Sequence, residues 1–332
     1  MQLRNDARLP VDCLVDAHIH APRQGINGAS VRNMIKLLVH SGIGGLVFLG
    51  VPDFSQVIER IDYLSVKREY ERVKSLIDKY AWDIRDYLEP HQLYVATLNM
   101  AKEYGPICSE SMATVVENVD IMAAVDLSMD IEDLARWLRE ARSKGFGGYK
   151  VLSTLFLTSL DDERIEVILD EADSHGLPVV VHGGCDPGIW ELPAYCKYGD
   201  PSKLAPLIRN HRDAKIVIAH AGGYSAIAPG VFIEETLELA RRFDNVYVDT
   251  SALPPYMAAR VALTFPRVIY GSDYPVVVKD RITQSALRYA EEVLITLMLM
   301  GAPKSKIRRF TYETAEEVFN LECKTAMELR GF

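Results

Sequence analysis

The feature that most constrains the fold of this chain is an alternation of short apolar runs with helical segments along most of its 332 residues. Successive strands joined through helices typically form a parallel sheet, because parallel neighbours need a long crossover connection. No glycine-rich phosphate-binding fingerprint follows the first apolar run, which favours a closed barrel over an open doubly wound sheet. Nine candidate strands are present, at 11–20, 44–51, 92–99, 120–127, 148–152, 178–182, 215–220, 245–250 and 267–271.

A (β/α)8 barrel has room for eight of these nine strands. We exclude 92–99, because 120–127 leads directly into a predicted helix at 131–144. The sequence therefore predicts an α/β fold, a distorted TIM barrel in a single domain covering residues 1–332. A barrel helix is expected at about 30–41.

Additional helices are predicted after the second strand, at 55–90, and at the C-terminus, at about 281–300 and 304–329. Apolar residues recur every three or four positions in 55–90, which is typical of an amphipathic helix or helical hairpin. We interpret this segment as a helical layer against the barrel, with a lid or a subunit contact as alternatives. A homodimer through these helices or the C-terminal ones is a further expectation.

Composition excludes several classes of function. A formal charge of -9 argues against nucleic acid or an anionic membrane as the main partner, since both require a basic surface. The five cysteines are widely scattered without a Cys-x-x-Cys spacing, so free thiols in a reducing cytoplasm are expected. Neither a signal peptide nor an apolar run of about 18 residues is apparent, and a cytoplasmic protein with a small-molecule substrate is predicted.

The first strand ends in the motif Asp16-Ala17-His18-Ile19-His20. Side chains alternate along a strand, so His18 and His20 are expected on one face, about 6 to 7 Å apart, with Asp16 beneath them. Two imidazoles at that spacing can bind a single metal ion. The alternative interpretation is two polar residues at a strand end without a metal.

Three later strands also end in residues that bind metals, namely His182, His220 and Asp273. In a closed barrel the carboxyl ends of all strands form one rim, where active sites of this architecture lie. Convergence of five such residues on one rim favours a metal site.

We assign His18, His20, His182 and Asp273 as ligands of one divalent ion, with zinc favoured and iron or manganese as alternatives. Such an ion generates hydroxide from water near neutral pH. His220 is predicted to be a general acid/base or to polarise the substrate carbonyl. Asp273 is also expected to orient the proton of the water, and Asp16 to support the ligating histidines.

Lys150 ends another strand at the same rim. We interpret it as a lysine that faces the substrate or forms an ion pair. The alternative is a carboxylated lysine that bridges two metal ions. Cys185, three residues after His182, is interpreted as a bystander thiol.

Six motifs, at 16–20, 145–150, His182, 220–223, 246–251 and 270–275, occur in this order along the chain. Together they resemble the amidohydrolase superfamily, specifically the amidohydrolase-related branch that includes aminocarboxymuconate semialdehyde decarboxylase. The resemblance implies a metal-dependent TIM barrel with a mononuclear site, usually zinc. It further implies that His220 activates water, that Asp273 is the ligand from the last strand, and that the lysine is frequently not carboxylated. Segment 92–119 departs from the pattern.

The primary functional prediction is hydrolysis of a C–N or C–O bond in a small amide, cyclic amide or lactone. The alternative is non-oxidative decarboxylation of an unsaturated or aromatic carboxylic acid, for which Lys150 or Arg23 would hold the carboxylate. A third hypothesis is a non-catalytic protein that binds a metal or ligand. Substrate identity depends on loop geometry that residue types do not fix.

Overall fold

The sheet that organises the chain is described by a computed structural model covering residues 9–20, 42–80, 89–103, 118–186, 188–225, 228–274 and 282–324. Within these ranges, eight parallel strands are hydrogen-bonded in sequence order from β1 to β8. The strands are β1 Val15–Ile19, β2 Gly45–Leu49, β3 Val119–Ala124, β4 Gly148–Val151, β5 Pro178–Val181, β6 Lys215–Ile218, β7 Val246–Asp249 and β8 Val268–Ile269.

The first and last strands meet and bring the sheet nearly to closure. The backbone N–H of Ala17 donates to the carbonyl of Tyr270 at 3.1 Å, and that of Asp273 donates to the carbonyl of His18 at 2.9 Å. Gly271 is required at this junction, because a Cβ there would lie 2.6 Å from the Cβ of His18. The predicted (β/α)8 barrel is thus confirmed.

Helices separate the strands along the outside of the barrel, as the alternation predicts. Buried apolar residues on their inner faces, such as Leu134 and Leu138 or Ile165 and Leu169, pack against the sheet. The principal helices are α1 Ser55–Arg60, α2 Tyr63–Tyr80, α3 Pro90–Glu103, α4 Ile131–Ser143, α5 Glu163–His175, α6 Ala205–Asn210, α7 Ile233–Arg242, α8 Pro255–Thr264, α9 Ile282–Leu299, α10 Lys304–Arg308 and α11 Thr314–Val318.

The interpretation of 92–99 as a strand is wrong, because this segment lies within α3. Its exclusion from the barrel is correct, and β3 takes the place predicted for 120–127. Thr97 is buried while Val95 is exposed, and the partly buried Leu93, Tyr94 and Leu98 complete a face with helical spacing. Eight residues are too few to separate this pattern from that of a strand.

Helices are present within the segments predicted at 55–90 and 281–300, and residues 81–88 lie outside the described ranges. The helix predicted at 304–329 is too long, because the last described helix ends at Val318 and residues 319–324 are not helical. The α1 to α3 region forms a layer in which the hydroxyl of Tyr94 donates to the carbonyl of Ile58 at 3.2 Å. No described helix has the length and apolar character that crossing a membrane requires. The helix expected at 30–41, together with Arg23 and Cys108, lies outside the described residues.

The amino end of the barrel is filled by apolar side chains. Residues of the strands, among them Val47, Met122 and Val180, form one buried cluster with Val318 and Phe319 from the C-terminal segment. This segment also hydrogen-bonds across the end of the barrel, for example from the Asn320 N–H to Asp120 Oδ2 at 3.1 Å. The C-terminal chain therefore closes the end opposite the predicted site.

The expectation of free thiols is wrong for four of the cysteines. Cys13 and Cys323 form a disulfide that joins the start of β1 to the C-terminal segment, with their Cα atoms 6.1 Å apart. Cys185 and Cys196 form a second disulfide near the carboxyl end of β5. Sequence spacing did not predict either pair, since 310 residues separate the first two cysteines. The expectation of a reducing cytoplasm was based on free thiols, so the two disulfides remove its support.

Candidate metal centre

The carboxyl ends of β1, β5, β6 and β8 bring the five predicted metal-binding residues together at one rim. All five are buried, with at most 5% of each residue exposed. The ring centroid of His18 lies 5.2 Å from that of His20 and 4.7 Å from that of His220, which lies 5.0 Å from that of His182. Nε2 atoms of His18 and His20 each lie 3.2 Å from Oδ1 of Asp273.

A register shift in β1 accompanies the histidine motif. Asp16 pairs with Leu46 and Ile19 with Phe48, so three positions on β1 span two on β2. Such a bulge redirects side chains relative to strict alternation. The orientation of His18 therefore depends on the bulge as well as on the strand period assumed from the sequence.

The Nδ1 atoms of three histidines are occupied by acceptors. His18 Nδ1 donates to Asp249 Oδ2 at 2.8 Å, His20 Nδ1 to the carbonyl of Leu49 at 2.9 Å, and His220 Nδ1 to the carbonyl of Ser251 at 3.1 Å. Carboxylate and carbonyl oxygens only accept, so the neutral rings carry their proton on Nδ1. Each Nε2 then keeps a lone pair for a metal or a proton.

Asp249, rather than Asp16, makes the carboxylate contact that orients His18. The sequence predicted Asp16 as the support, but its Oδ1 accepts from the backbone N–H of His18 at 3.4 Å and of Ser272 at 2.9 Å. Asp16 therefore positions the backbone between β1 and β8. Asp249 ends β7, and this position at a strand end predicts from the sequence that it shapes the pocket, but not that it contacts His18.

A compact group of three potential ligand atoms differs from the predicted set. Among the described residues, ligand atoms of His18, His220 and Asp273 all lie within 4.8 Å of one another. His220 had been expected to act beside the ligands instead of among them. The structure thus brings all five residues to one rim and places His220 centrally.

Asp186 is a site residue that the sequence reasoning missed. Its Oδ1 lies 3.1 Å from Nε2 of His182, and its Oδ2 accepts a hydrogen bond from the hydroxyl of Thr154. Burial raises the pKa of this carboxyl to about 7. An acidic residue four positions after a strand-end histidine was the available signal.

Two of the site residues have strained backbones. His220 and Asp273 have φ values of 57° and 60°, in the left-handed region that non-glycine residues rarely adopt. Such conformations cost on the order of 1 to 3 kcal/mol each and concentrate at functional sites. The strain supports a functional role for this rim.

Burial and neighbouring groups shift the pKa values of the carboxylate and the imidazoles at the rim. Burial alone would raise the pKa of Asp273, but the neighbouring imidazoles of His18 and His20 hold it well below its usual range. Burial lowers the pKa of His220 to about 3 and that of His182 well below its usual value. For His18 the balance is the reverse, because burial lowers its pKa but the charge of Asp249 and the hydrogen bonds to Asp249 and Asp273 together outweigh burial and raise that pKa.

Lys150 lies fully buried on β4, and its Nζ has no hydrogen-bond partner among the described residues. Burial lowers its pKa to about 8, and Asp249, Asp273 and Asp186 oppose that shift. Burying a cation without a direct partner is costly. The site therefore has a cationic position that an anionic group could occupy.

The donor set fits a divalent metal ion. Nε2 of His18 and Nε2 of His182 are buried without a hydrogen-bond partner in the described part of the chain. The carboxylates of Asp249 and Asp273, whose pKa values lie below their usual range, give the rim negative charge that a divalent cation would partly neutralise. Imidazole nitrogens with a carboxylate are ligands typical of zinc and related ions.

Comparison with known proteins decides the family. The family model described as amidohydrolase matches residues 109–321. This chain belongs to the amidohydrolase family. The match covers β3 to β8, so it includes the strands that carry Lys150, His182, His220 and Asp273.

Solved structures with the same architecture are similar to this amidohydrolase over nearly its whole length. An uncharacterized TIM-barrel protein from Bordetella bronchiseptica has a TM-score of 0.56 and 13% identity, covering 92% of this chain and 98% of its own. A 5-carboxyvanillate decarboxylase from Sphingomonas paucimobilis has a TM-score of 0.51 and 13% identity, with 94% and 100% covered.

A dihydroorotase from Campylobacter jejuni also has a TM-score of 0.51, with 14% identity and 98% and 87% covered. No curated protein sequence gives a significant match. At these identities the structural similarity establishes the barrel fold and does not distinguish hydrolase from decarboxylase.

Proposed function

We propose that this amidohydrolase is a metal-dependent hydrolase that cleaves a C–N or C–O bond in a small amide, cyclic amide or lactone. The observation that carries the proposal is the buried set of imidazoles and one carboxylate at the carboxyl rim, where Nε2 of His18 and Nε2 of His182 have no hydrogen-bond partner among the described residues. We propose His18, His20, His182 and Asp273 as ligands of one ion, with zinc as the first candidate and iron or manganese as alternatives.

A bound divalent ion supplies an acidified water and a Lewis acid for the substrate carbonyl. His220 is neutral, with its proton on Nδ1 fixed by the Ser251 carbonyl, so its Nε2 can accept a proton. The same imidazole can then donate this proton to the leaving nitrogen or oxygen. His220 would thus act first as a base and then as an acid.

Asp249 fixes the ring of His18 through its Oδ2 and the backbone N–H of His220 through its Oδ1, at 2.8 and 2.9 Å. One carboxylate therefore aligns a proposed ligand with the proposed proton acceptor. Alignment of this kind lowers the entropic cost of reaching the reactive geometry.

Decarboxylation of an unsaturated or aromatic carboxylic acid is the second candidate. Lys150 favours it, because a buried ammonium group without a hydrogen-bond partner among the described residues is suited to hold a substrate carboxylate. An anionic substrate of the hydrolase would use the same contact, so Lys150 alone does not separate the two reactions. A carboxylated Lys150 bridging a second metal ion is the remaining arrangement to test.

The test combines metal analysis with a two-part substrate panel. The purified chain is analysed for bound metal, loaded with one equivalent of Zn2+, and incubated with neutral lactones and cyclic amides and with aryl carboxylic acids. Hydrolysis is detected by chromatography of the carboxylic acid product. Decarboxylation is detected by release of carbon dioxide. About one metal per chain with acid release supports the proposal, whereas carbon dioxide release from the acids alone replaces it with the second candidate.

Histidine variants provide the matched control. His220→Gln is expected to retain the metal and lose turnover by about a hundredfold or more, the range typical of general acid–base groups. His211→Gln changes a buried histidine that follows α6 and contacts Asp170. Its metal content and turnover are expected to match those of the wild type. Loss of metal in His220→Gln would make His220 a ligand, and unchanged turnover would remove its proposed role.

A further inference from the structure

Asp186 places a carboxylate oxygen beside one of the proposed ligand atoms, Nε2 of His182. It follows β5 by five residues and is buried, and its Oδ1 lies 3.1 Å from Nε2 of His182. Neither the family motifs in the sequence nor the predicted ligand set includes it. The buried position of Asp186 beside His182 is therefore not explained by the predicted ligand set.

The carboxylate of Asp186 is held in place from several directions. Its Oδ2 accepts from the hydroxyl of the fully buried Thr154. The preceding residue, Cys185, donates its backbone N–H to the carbonyl of Tyr224 at 2.6 Å and forms the disulfide with Cys196. Oδ1 is thus presented to His182 by a loop whose backbone is fixed.

The contact between Asp186 and His182 has the separation of two ligands on one ion. Donor atoms around an ion with bonds of about 2.0 to 2.1 Å lie roughly 2.9 to 3.4 Å apart in octahedral or tetrahedral geometry. The 3.1 Å separation falls in this range, as do the two 3.2 Å separations from Asp273 Oδ1 to His18 and His20. The same spacing thus recurs on both sides of the rim.

A simple hydrogen bond does not account for the pair. Although the two atoms are close, His182 Nε2 makes no aligned hydrogen bond to any described residue, Asp186 included. Nε2 of His182 is therefore buried beside a carboxylate oxygen and still lacks a hydrogen-bond partner among the described residues. A metal ion between an imidazole and a carboxylate satisfies both at once.

We infer that Asp186 is a further metal-ligating carboxylate of this centre, binding on the same side as His182. The inference rests on the metal centre of the proposed function and extends its ligand set. Thr154 is proposed as the positioning residue, because its hydroxyl holds Oδ2 of Asp186 and so directs Oδ1 toward the ion.

The test measures metal binding independently of turnover. Zn2+ affinity is determined by competition with a chromogenic chelator, and the visible absorption spectrum is recorded after loading with Co2+. Asp186→Asn is expected to weaken Zn2+ binding by at least the tenfold to hundredfold typical of supporting residues, and to change the Co2+ spectrum. Thr154→Val is expected to weaken binding less, because the carboxylate remains.

Asp170→Asn is the matched control, since Asp170 also contacts a histidine, His211, at 2.9 Å but on the outer helices. It is expected to bind Zn2+ and Co2+ as wild type does. Circular dichroism of each metal-free variant verifies that the fold is retained. If Asp186→Asn proves unfolded, Asp186→Glu, which keeps the ligand atoms, replaces it with the same spectroscopic readout.

Wild-type affinity and an unchanged Co2+ spectrum in Asp186→Asn would overturn the inference while leaving the proposed function intact. Tighter binding in that variant would also overturn it, because Asp186 would then compete with the ion for His182. Absence of metal binding by the wild-type chain would overturn both proposals together.

Discussion

The two ends of this barrel are built from opposite kinds of side chain. At the carboxyl end, histidines and carboxylates meet, two histidine nitrogens lack a hydrogen-bond partner within the described ranges, and His220 and Asp273 have strained backbones. At the amino end, apolar side chains of the strands pack against Phe319 and Leu321, and a disulfide joins Cys13 to Cys323. One end thus carries buried polarity suited to chemistry, and the other supplies stability.

The difference shows how a barrel accommodates an unfavourable site. Burying charged groups such as Asp273 and Lys150 costs free energy unless they are paired or bound to a metal. Apolar burial at the amino end is favourable by roughly 25 cal/mol for each Å2 removed from water. Changes at the two ends should therefore affect different measurements.

The largest effect is expected from Asp273→Asn at the carboxyl end. Loss of a carboxylate that faces both His18 and His20 should weaken metal binding by more than about a hundredfold, the upper range for supporting residues. Metal content per chain is measured after dialysis. Asp244→Asn, at an exposed carboxylate, serves as the control; equal metal retention by both variants would refute the proposed ligand role.

Phe319→Ala should show the reverse behaviour at the amino end. Phe319 is 3% exposed, and truncating a buried phenylalanine costs about 3 to 5 kcal/mol. Urea unfolding should reveal this loss, while the Zn2+ affinity of the folded variant stays at the wild-type value. Leu299→Ala, at a residue 84% exposed, should change stability by less than about 0.5 kcal/mol.

Removing the Cys13–Cys323 disulfide is expected to cost about 2 to 5 kcal/mol. Cys13→Ser and Cys323→Ser are each compared with the wild type in urea unfolding, with and without a reducing agent. Reduction should lower the stability of the wild type by more than that of the variants, which of the two described disulfides keep only Cys185–Cys196. Alkylation followed by mass spectrometry identifies the pairing, and reactive thiols at both positions in the unreduced protein would contradict it.

The smallest effect is a pH dependence on the outer helices. Burial lowers the pKa of His211, but the hydrogen bonds to Leu207 and Asp170 outweigh it and raise the pKa above its usual value. Because the folded pKa is the higher one, this stabilisation is complete below the unfolded value of about 6.5 and is lost as the pH rises through the folded pKa.

Asp170→Asn should therefore destabilise at pH 5.5, by less than about 1 kcal/mol since Asp170 is largely exposed, and by less still at pH 8.5. Urea unfolding of both proteins at both pH values measures the difference. An effect that is larger at pH 8.5 would show that the sign is wrong.

Local sequence signals determined the barrel and most of its rim. The alternation of strands and helices predicted the sheet order, and the position of His182, His220 and Asp273 at strand ends predicted that they share one edge. Such signals are local because strand period and strand ends are read from a few neighbouring residues. Segment 92–99 was misread as a strand for the same reason, since eight residues do not distinguish the two periods.

Only the tertiary structure decided which partner each rim residue meets. Asp249 lies 231 residues from His18 and reaches it through closure of the barrel. Asp186 faces His182 because a loop turns back after β5, and Cys13 meets Cys323 because the C-terminal chain crosses the amino end. The sequence determined the kinds of residue at each end, whereas their pairing depends on packing between elements distant along the chain.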